Sequence, residues 1–510
     1  MKQIGPTYCI QQIVEDCLTI IGLLQYQAHV GKEAATICSG VPAPLSGIKA
    51  YLEKCVGSYL LQLQKIASVP DGSTRMKKQA RLARELLFDT EAAKICAALR
   101  SLVKLQLIQT KTKPVDASRV LKLAELLNIW AALEEPVTVE WQPKDKGGFR
   151  LVCKPGPFRK AQQIILRDVL LMMGIDNEFD FTRKGAGGEV GFRDEVIKSL
   201  CDQYDQWWTS DIADCFGSLK AGHLGWLHIH SRLMRNVVCL PKCALIKVVM
   251  PMAQVDHMVI LKHINATYPD LPMDDTSQSI SEMVTAHTKH VVRRGLPQGS
   301  CLSGLLARAF IGRELREAFE GKDVRCVSWI DDLVIATHTY DQVNDVQALV
   351  TTRLQSHPAG PILLHDDALH DIKTGPLVAL GNVYQPGKGY KGSPVHVKPG
   401  LRRFHKFRNR LRKRIWDAGP GHCPFEIATD YARQWFGSNK AWTKVPIYSK
   451  EACVKFAIAY LQDWIDQVPF GGMTPKHWNA SKPFGGFPDF IKNVPPLPHW
   501  LKKGGDGGSK

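Results

Sequence analysis

The spacing of apolar residues changes character along the chain. Up to about residue 135 it recurs at helical intervals. "DTEAAKICAALRSLVKL" opens on an Asp/Thr cap and sets Ile95, Leu99, Leu102 and Val103 on one face. "DASRVLKLAELLNIWAALEEP" places Val120, Leu123, Leu127 and Trp130 on one stripe, with Pro136 as a stop. A basic, Gly/Ser-punctuated stretch, "PDGSTRMKKQARLARE", precedes both. From about 137 the period shortens. "VTVEWQPKDKGGFRLVCKP" is two β-like runs across a Lys/Gly turn, followed by the helical "KAQQIILRDVLLMMG". "FTRKGAGGEVGFRD" then reads as a glycine-rich loop. It lacks G-x-x-x-x-G-K-[ST], so it is not a nucleotide P-loop. The last stretch, 469–510, is rich in Pro, Gly and Trp, with "PFGG" at 469–472 and again at 483–486. It predicts neither long helices nor a regular sheet, and "GGDGGSK" reads as a flexible tail.

Composition adds a partner class. The 510 residues are 45% apolar and 23% charged, an ordinary globular balance. Lys and Arg number 66 against 49 Asp and Glu, a net charge of +17, which points to a polyanion such as nucleic acid or to a membrane surface. No run reaches the roughly 18 apolar residues of a membrane span, so no membrane partner is expected. "MKQIGPTYCIQQIVEDCLTIIGLL" is broken by Glu15 and Asp16 and makes a poor secretory signal. Fourteen cysteines without a repeating framework suit free thiols in a reducing cytoplasm. Cys239, Cys243, His257 and His263 approach a zinc-finger spacing. The residues between them look helical and no hairpin precedes the second pair, so ordinary packing is the expectation.

Three segments carry chemistry. In "RCVSWIDDLVIAT", Arg325–Ile330 and Leu333–Ala336 are strand-like, with Asp331-Asp332 expected as a two-residue turn. Two carboxylates held between buried strands would repel unless one were protonated or a cation intervened. A hard divalent metal resolves that, and so does an exposed polar turn. "WWTSDIADCF" sets Asp211 at the end of another strand-like run. Three carboxylates on adjacent strands can hold two metals about 3.5–4 Å apart, the arrangement of two-metal phosphoryl transfer. "RRGLPQGSCLSGLLARAF" is the third segment.

In this order the segments resemble the fingers–palm–thumb core of bacterial reverse transcriptases, the branch of retrons, group II intron enzymes and abortive-infection and defence-associated types. The last of these fits best. The match runs roughly over 138–416. It implies an α+β right-hand polymerase fold with a helical N-terminal accessory domain at 1–136, fingers at 137–210 and palm at 211–384 (220–292 partly fingers or insertion). A basic helical thumb at 385–468 and the C-terminal extension at 469–510 complete it.

By that resemblance Asp211 and Asp331 are the main metal ligands, with Asp332 adjacent and supporting, and the cofactor is a pair of Mg2+ ions that Mn2+ can replace. Phe216 is the aromatic that crowds a ribose 2′-hydroxyl; plain core packing is its bland alternative. Asp214 offers its backbone N–H near the triphosphate and is not a ligand. Gly295-Leu296-Pro297-Gln298-Gly299 lies against the incoming nucleotide, with Gln298 able to donate and accept. Arg150 holds the triphosphate with Lys144 and Lys146, although a solvated turn explains the lysines almost as well. Lys373 sits near the pyrophosphate, and Leu380-Gly381 is the primer-grip turn. Trp329 stands where the family has Tyr or Phe, and with Ile330 it implies a tight primer-end pocket.

The segment after the grip is legible without the family. Leu401, Phe404, Leu411 and Ile415 form one stripe with Phe407 at its edge. Arg402, Arg403, Lys406, Arg408, Arg410, Arg412, Lys413 and Arg414 surround it, and no acidic residue occurs between Asp371 and Asp417. So one-sided a run favours backbone contact with a template–primer duplex over a merely solvated face.

The resemblance implies an RNA-directed DNA polymerase with deoxynucleoside triphosphates as substrates and DNA as product. The template is expected to be a dedicated noncoding RNA and the setting antiviral defence. No RNase H carboxylate set, HNH motif or integrase region is evident. A group II intron-like maturase and template-independent or protein-primed synthesis stay open as alternatives, as does a homo-oligomer.

Overall fold

The computed structural model describes residues 6–25, 45–88, 90–107, 115–144, 148–175, 177–183, 186–250, 254–271, 279–359, 362–386, 395–418, 422–438, 454–455 and 457–461. In chain order the elements are α1 (Pro6–Leu23), β1 (Leu24–Gln25), α2 (Leu45–Ala67), α3 (Arg75–Leu86), α4 (Glu91–Leu107), β2 (Val115–Asp116) and α5 (Ala117–Leu126). Then come β3 (Val137–Pro143), β4 (Phe149–Lys154), α6 (Pro157–Met172), α7 (Gly188–Cys201) and β5 (Gln206–Ile212). A helical turn at Cys215–Ser218 leads through short irregular helices to β6 (Ile246–Val249), α8 (Gln254–Thr267), α9 (Ile280–Val291) and α10 (Ser303–Ala318). The rest is β7 (Arg325–Trp329), β8 (Asp332–Thr337), α11 (Tyr340–Gln355), β9 (Leu364–Asp371), β10 (Leu377–Ala379), β11 (Asn382–Pro386), β12 (Val395–Pro399), α12 (Leu401–Ala418) and α13 (Pro424–Ser438). The fold is α+β. Its sheets have the orders β4–β3–β6, β7–β8–β5–β9 and β10–β11–β12, with a short parallel β1–β2 bridge. Among the described residues no helix is long and apolar enough to cross a membrane.

The chain forms two compact units. The first contains residues 1–185, 211–322 and 346–365; the second contains 186–210, 323–345 and 366–510.

In the first unit the helical N-terminal region packs directly on α6. α2 and α4 pack on α6, and three fully buried polar side chains join them. Arg100 Nη1 donates to Asp168 Oδ1 at 3.1 Å, its Nη2 also bonds that carboxylate, and Tyr59 Oη donates to Asp168 Oδ2 at 2.8 Å. Glu135 caps α6 by accepting from the amides of Phe158 and Arg159, at 3.0 and 2.8 Å. β3 alternates as its sequence predicts: Val137, Val139 and Trp141 are buried. Trp141 Nε1 donates to Thr288 Oγ1 at 2.8 Å and packs over Ile260, Ile264 and Val284.

Two expectations are corrected here. The Leu127 end of the predicted N-terminal stripe lies beyond its helix, because α5 stops at Leu126 and Leu127 is extended. The glycine-rich "loop" is half helix: α7 starts at Gly188, straight after Gly187 at φ +89°.

In the second unit α12 packs on α13. Phe407, Leu411 and Ile415 meet Ala428, Tyr431 and Leu461. Phe407 is fully buried against Tyr431 and Trp435, with ring centroids 4.9 and 4.6 Å away. It is the centre of that stripe rather than its edge.

Candidate active site

The β7–β8 hairpin differs from its expected register by one position. Trp329 pairs with Asp332, so the two turn residues are Ile330 and Asp331, and Asp332 opens β8. Ile330 takes φ +59°, a left-handed conformation that β-branched residues avoid. The apolar runs are buried as predicted, Cys326 to Ser328 on one strand and Leu333 to Thr337 on the other. The two carboxylates at the tip are half-buried, where solvent reduces the repulsion that full burial would impose.

Asp211, also half-buried, is the next-to-last residue of β5, at the position where the first unit resumes. His365 Nε2 lies 4.0 Å from its Oδ2. Among the described residues no group of three or more His, Cys, Asp and Glu side chains is gathered so as to hold a metal ion. The four-residue zinc-like spacing forms no such group either; His263 instead packs edge-on against Trp141, at 5.8 Å.

The D-x4-F segment and the LPQG loop meet within the first unit. Leu296 N–H donates to the Phe216 carbonyl at 2.8 Å. A Cβ on Gly295 would stand 2.3 Å from that same oxygen, so only glycine permits this approach. The loop's other end is tied to β4. Cys153 N–H donates to the Gln298 carbonyl at 2.7 Å, and Gly299, at φ +100°, comes so close that a Cβ would sit 2.3 Å from the Cys153 oxygen. Ser303 Oγ, in the first turn of α10, donates to the Pro297 carbonyl at 2.8 Å. The loop is therefore held rigidly from three sides, and Phe216, half-buried, is set beside it.

Asp214 is not in that strand but in a left-handed turn at φ +41°, ψ +47°. Its outer edge is exposed while protein crowds the carboxyl itself. Desolvation pushes that carboxyl above the usual aspartate range, against the opposing pull of Tyr268, Lys144, the Gly217 amide and Arg294. Tyr268 Oη donates to Asp214 Oδ2 at 2.9 Å. Arg294 lies 5.5 Å over the Tyr268 ring and is bidentate on Asp270, at 2.8 and 2.6 Å. Lys144 N–H closes the β3–β4 turn on Gly148 O at 3.0 Å, and Arg150 is exposed on β4. Lys146 lies outside the described residues.

In the second unit Lys373 Nζ bonds Asp205 Oδ2 at 2.7 Å. Ala379 pairs with Asn382 across a two-residue turn, Leu380 and Gly381, at φ +48° and +69°. That turn is clamped by the start of α12. Arg403 Nε and Nη2 donate to the Leu380 carbonyl at 3.1 and 2.8 Å, Nη2 lies 3.4 Å from Glu189 Oε1, and Gly400 N–H donates to Gly381 O at 2.8 Å. Arg408 stands 5.0 Å over the Tyr460 ring, and Arg414 lies 4.6 Å over Tyr431 with a 2.8 Å bond to Gln434. Arg403, Arg408 and Arg414 thus face partners within the fold. Lys406 is half-buried and Arg410 exposed; the side chains of Arg402, Arg412 and Lys413 lie outside the described residues, as does the whole 469–510 extension.

The sequence reading missed Tyr268, Arg294, Asp270, His365 and Glu189. Arg294 opens the third segment, directly before Gly295, and Glu189 falls in the glycine-rich stretch, but nothing in either stretch singles them out. Tyr268 and Asp270 come from the stretch ahead of the loop, where only three-dimensional proximity marks them.

No family model and no curated protein matches the chain. Solved structures similar to it include a Sicinivirus RNA-dependent RNA polymerase, 12% identical, covering 66% of this chain and 70% of that one at a TM-score of 0.33. Telomerase from Candida albicans, solved with a fragment of telomeric RNA, is 12% identical over 89% of this chain and 91% of that one at a TM-score of 0.27. Apo telomerase from Candida tropicalis is 12% identical, with 89% and 90% covered, at a TM-score of 0.31. Overlaps of this size do not define a fold by themselves.

Proposed function

We propose that the chain is a nucleotidyltransferase on a right-hand polymerase fold, an RNA-directed DNA polymerase. The observation that supports this best is the bond from Leu296 N–H to Phe216 O. Two motifs far apart in sequence are joined there, and glycine at 295 is what lets them touch. A nucleotide lying on the Leu296–Gly299 backbone would have its sugar beside Phe216, and the ring would exclude a 2′-hydroxyl.

Asp211, Asp331 and Asp332 supply hard, half-exposed oxygen donors, the ligand type that takes Mg2+ or Mn2+. These side chains are not gathered into a metal site among the described residues; brought together, they would hold the ions, which would supply charge neutralisation at the entering and leaving oxygens. The chain's own work is positioning. Arg150 and Lys144 offer donors to the triphosphate, Gln298 to the base or sugar, and the Leu380–Gly381 turn with Trp329 and Ile330 to the primer end. Lys373, paired with Asp205 here, would serve the pyrophosphate. The basic face of α12 would follow the duplex. The setting we propose, on the resemblance of the three segments, is antiviral defence in the cytoplasm, with a dedicated noncoding RNA as template.

The test is incorporation of labelled deoxynucleotides on an RNA template, together with sequencing of copurified nucleic acid. Asp331→Asn/Asp332→Asn is expected to lower incorporation by about 100-fold or more, the scale of losing a main transition-state contact. Equal DNA yield from wild type and variant would sink the assignment. Phe216→Ala is expected to raise ribonucleotide use; an unchanged sugar preference would leave Phe216 as core packing.

A further inference from the structure

The first unit holds a cavity of about 200 Å³ that none of the polymerase motifs reaches. Its floor is apolar, formed by Phe88, Leu166, Val169, Met173 and Leu233. Its remaining lining mixes Ala80, Ala83, Leu227 and Ile229 with three cations, Lys77, Arg81 and Arg84 from α3, and two imidazoles, His228 and His230 from the turn after Leu227. Among the described residues no acidic side chain lines it. Lys77, Arg81 and Arg84 follow i, i+4, i+7 spacing and so run along one face of α3, over about 10 Å at the helical rise of 1.5 Å per residue. Arg81 shares the exposed Glu85 at 2.8 Å.

The wall is fixed before anything binds. Phe88 meets Trp130 edge-on at 5.2 Å, and Trp130 meets His230 edge-on at 5.4 Å. His230 Nδ1 accepts the Arg232 N–H at 3.1 Å, which leaves Nε2 as the donor of the neutral ring. His228 is held at φ +53°, a conformation that non-glycine residues rarely adopt without reason. The volume falls below the roughly 300–1,000 Å³ of sites that swallow whole drug-sized ligands. It suits one flat ring system with its charged part left outside.

We propose that this cavity takes one unpaired base of a single-stranded nucleic acid, with the flanking phosphates on Lys77 and Arg84. An apolar slot beside a line of cations is what a strand offering alternate rings and phosphates requires. The site is independent of the carboxylates and of the polymerase assignment. It would hold a strand whatever reaction the rest of the chain performs.

The experiment uses the full chain and a short oligouridylate carrying one 4-thiouridine, with cross-linked peptides mapped by mass spectrometry. Cross-links are expected in residues 75–88 or 227–233, and Lys77→Glu/Arg84→Glu is expected to reduce them about tenfold. Leu233→Trp fills the slot and should remove them; Val169→Met, a milder filling, should at least halve them if the tryptophan variant does not fold. Asp331→Asn should leave them intact, which separates this site from failure of the active-site assignment. Absence of cross-links from both segments in the wild type, or unchanged yield in the filled variants, overturns the proposal. So does displacement of the cross-link by dodecanoate with no competition from unlabelled oligonucleotide, which would identify an acyl anion as the occupant.

Discussion

Ile330 shows how much, and how little, the residues announce. The paired aspartates stand out in the sequence because two adjacent carboxylates between apolar runs call for either a cation or a solvent-exposed turn. The turn itself does not. Trp-Ile-Asp-Asp contains no Gly or Asn to mark a left-handed position, and strands buried on both faces have no alternation to fix register. The structure puts the left-handed residue at Ile330 and moves the turn back by one. Holding a β-branched residue there costs on the order of 1–3 kcal/mol. We expect Ile330→Gly to raise unfolding stability by about 1 kcal/mol in urea, after glycine's own entropy is offset. We also expect it to lower nucleotide incorporation, because the strained hairpin tip is what sets Asp331. A variant that is less stable than wild type would show that Ile330 packs favourably where it stands. The D-x4-F segment and the LPQG loop were each marked in the sequence, and the structure adds that they meet; Tyr268 beside Asp214 was not marked, since a tyrosine ahead of the loop carries no local signal.

Helices and strands were predicted better than their joints. The period-2 pattern of β3 came through, and so did the Phe407, Leu411 and Ile415 part of the α12 stripe, whose Leu401 and Phe404 side chains lie outside the described residues, but the attachment of α2 and α4 to α6 rests on Tyr59, Arg100 and Asp168, three residues far apart in sequence. Removing one partner of a buried ion pair costs roughly 3–5 kcal/mol. Asp168→Ala is therefore expected to lower the unfolding free energy by about that much, read from chemical denaturation. The pH dependence has a definite sign. Arg100, Arg167 and the Tyr59 hydroxyl hold the Asp168 carboxyl below its ordinary value despite its burial, which is the largest opposing influence. The folded pKa is depressed, so the stabilisation is present above the unfolded aspartate pKa and is lost as pH falls through the folded one. The wild type should lose stability over that acid range more steeply than Asp168→Ala; parallel curves would mean that the triad does not titrate with unfolding. At the other joint, Arg403→Ala should release the Leu380–Gly381 turn and shorten DNA products, while Arg403→Lys, which keeps the charge but not the two-pronged bond to Leu380 O, should rescue little. Full rescue by lysine would return Arg403 to the set of simple phosphate contacts.

For the whole molecule, a net charge of +17 points to a polyanion or a membrane surface but not to which cations would meet it. Eight basic residues of α12 read as one duplex-binding face. In the structure Arg403, Arg408 and Arg414 are turned to a carbonyl, a ring and an amide of the same chain. Sequence could not separate them from the others, because the choice depends on α13 and on Tyr460, whose positions no helical period encodes. Salt dependence can separate them. Each phosphate neutralised contributes about 0.7–0.9 to the slope of log affinity against log salt. Arg410→Gln, at an exposed position, should flatten the slope by about that amount. Arg414→Gln, exposed as well but with its guanidinium held over Tyr431 and bonded to Gln434, should shift the slope by less than about 0.3. The measurement is duplex affinity across a salt series for wild type and both variants. Equal slope changes would mean that Arg414 leaves Tyr431 and Gln434 when nucleic acid binds, and that the basic face is recruited by its ligand rather than set by the fold.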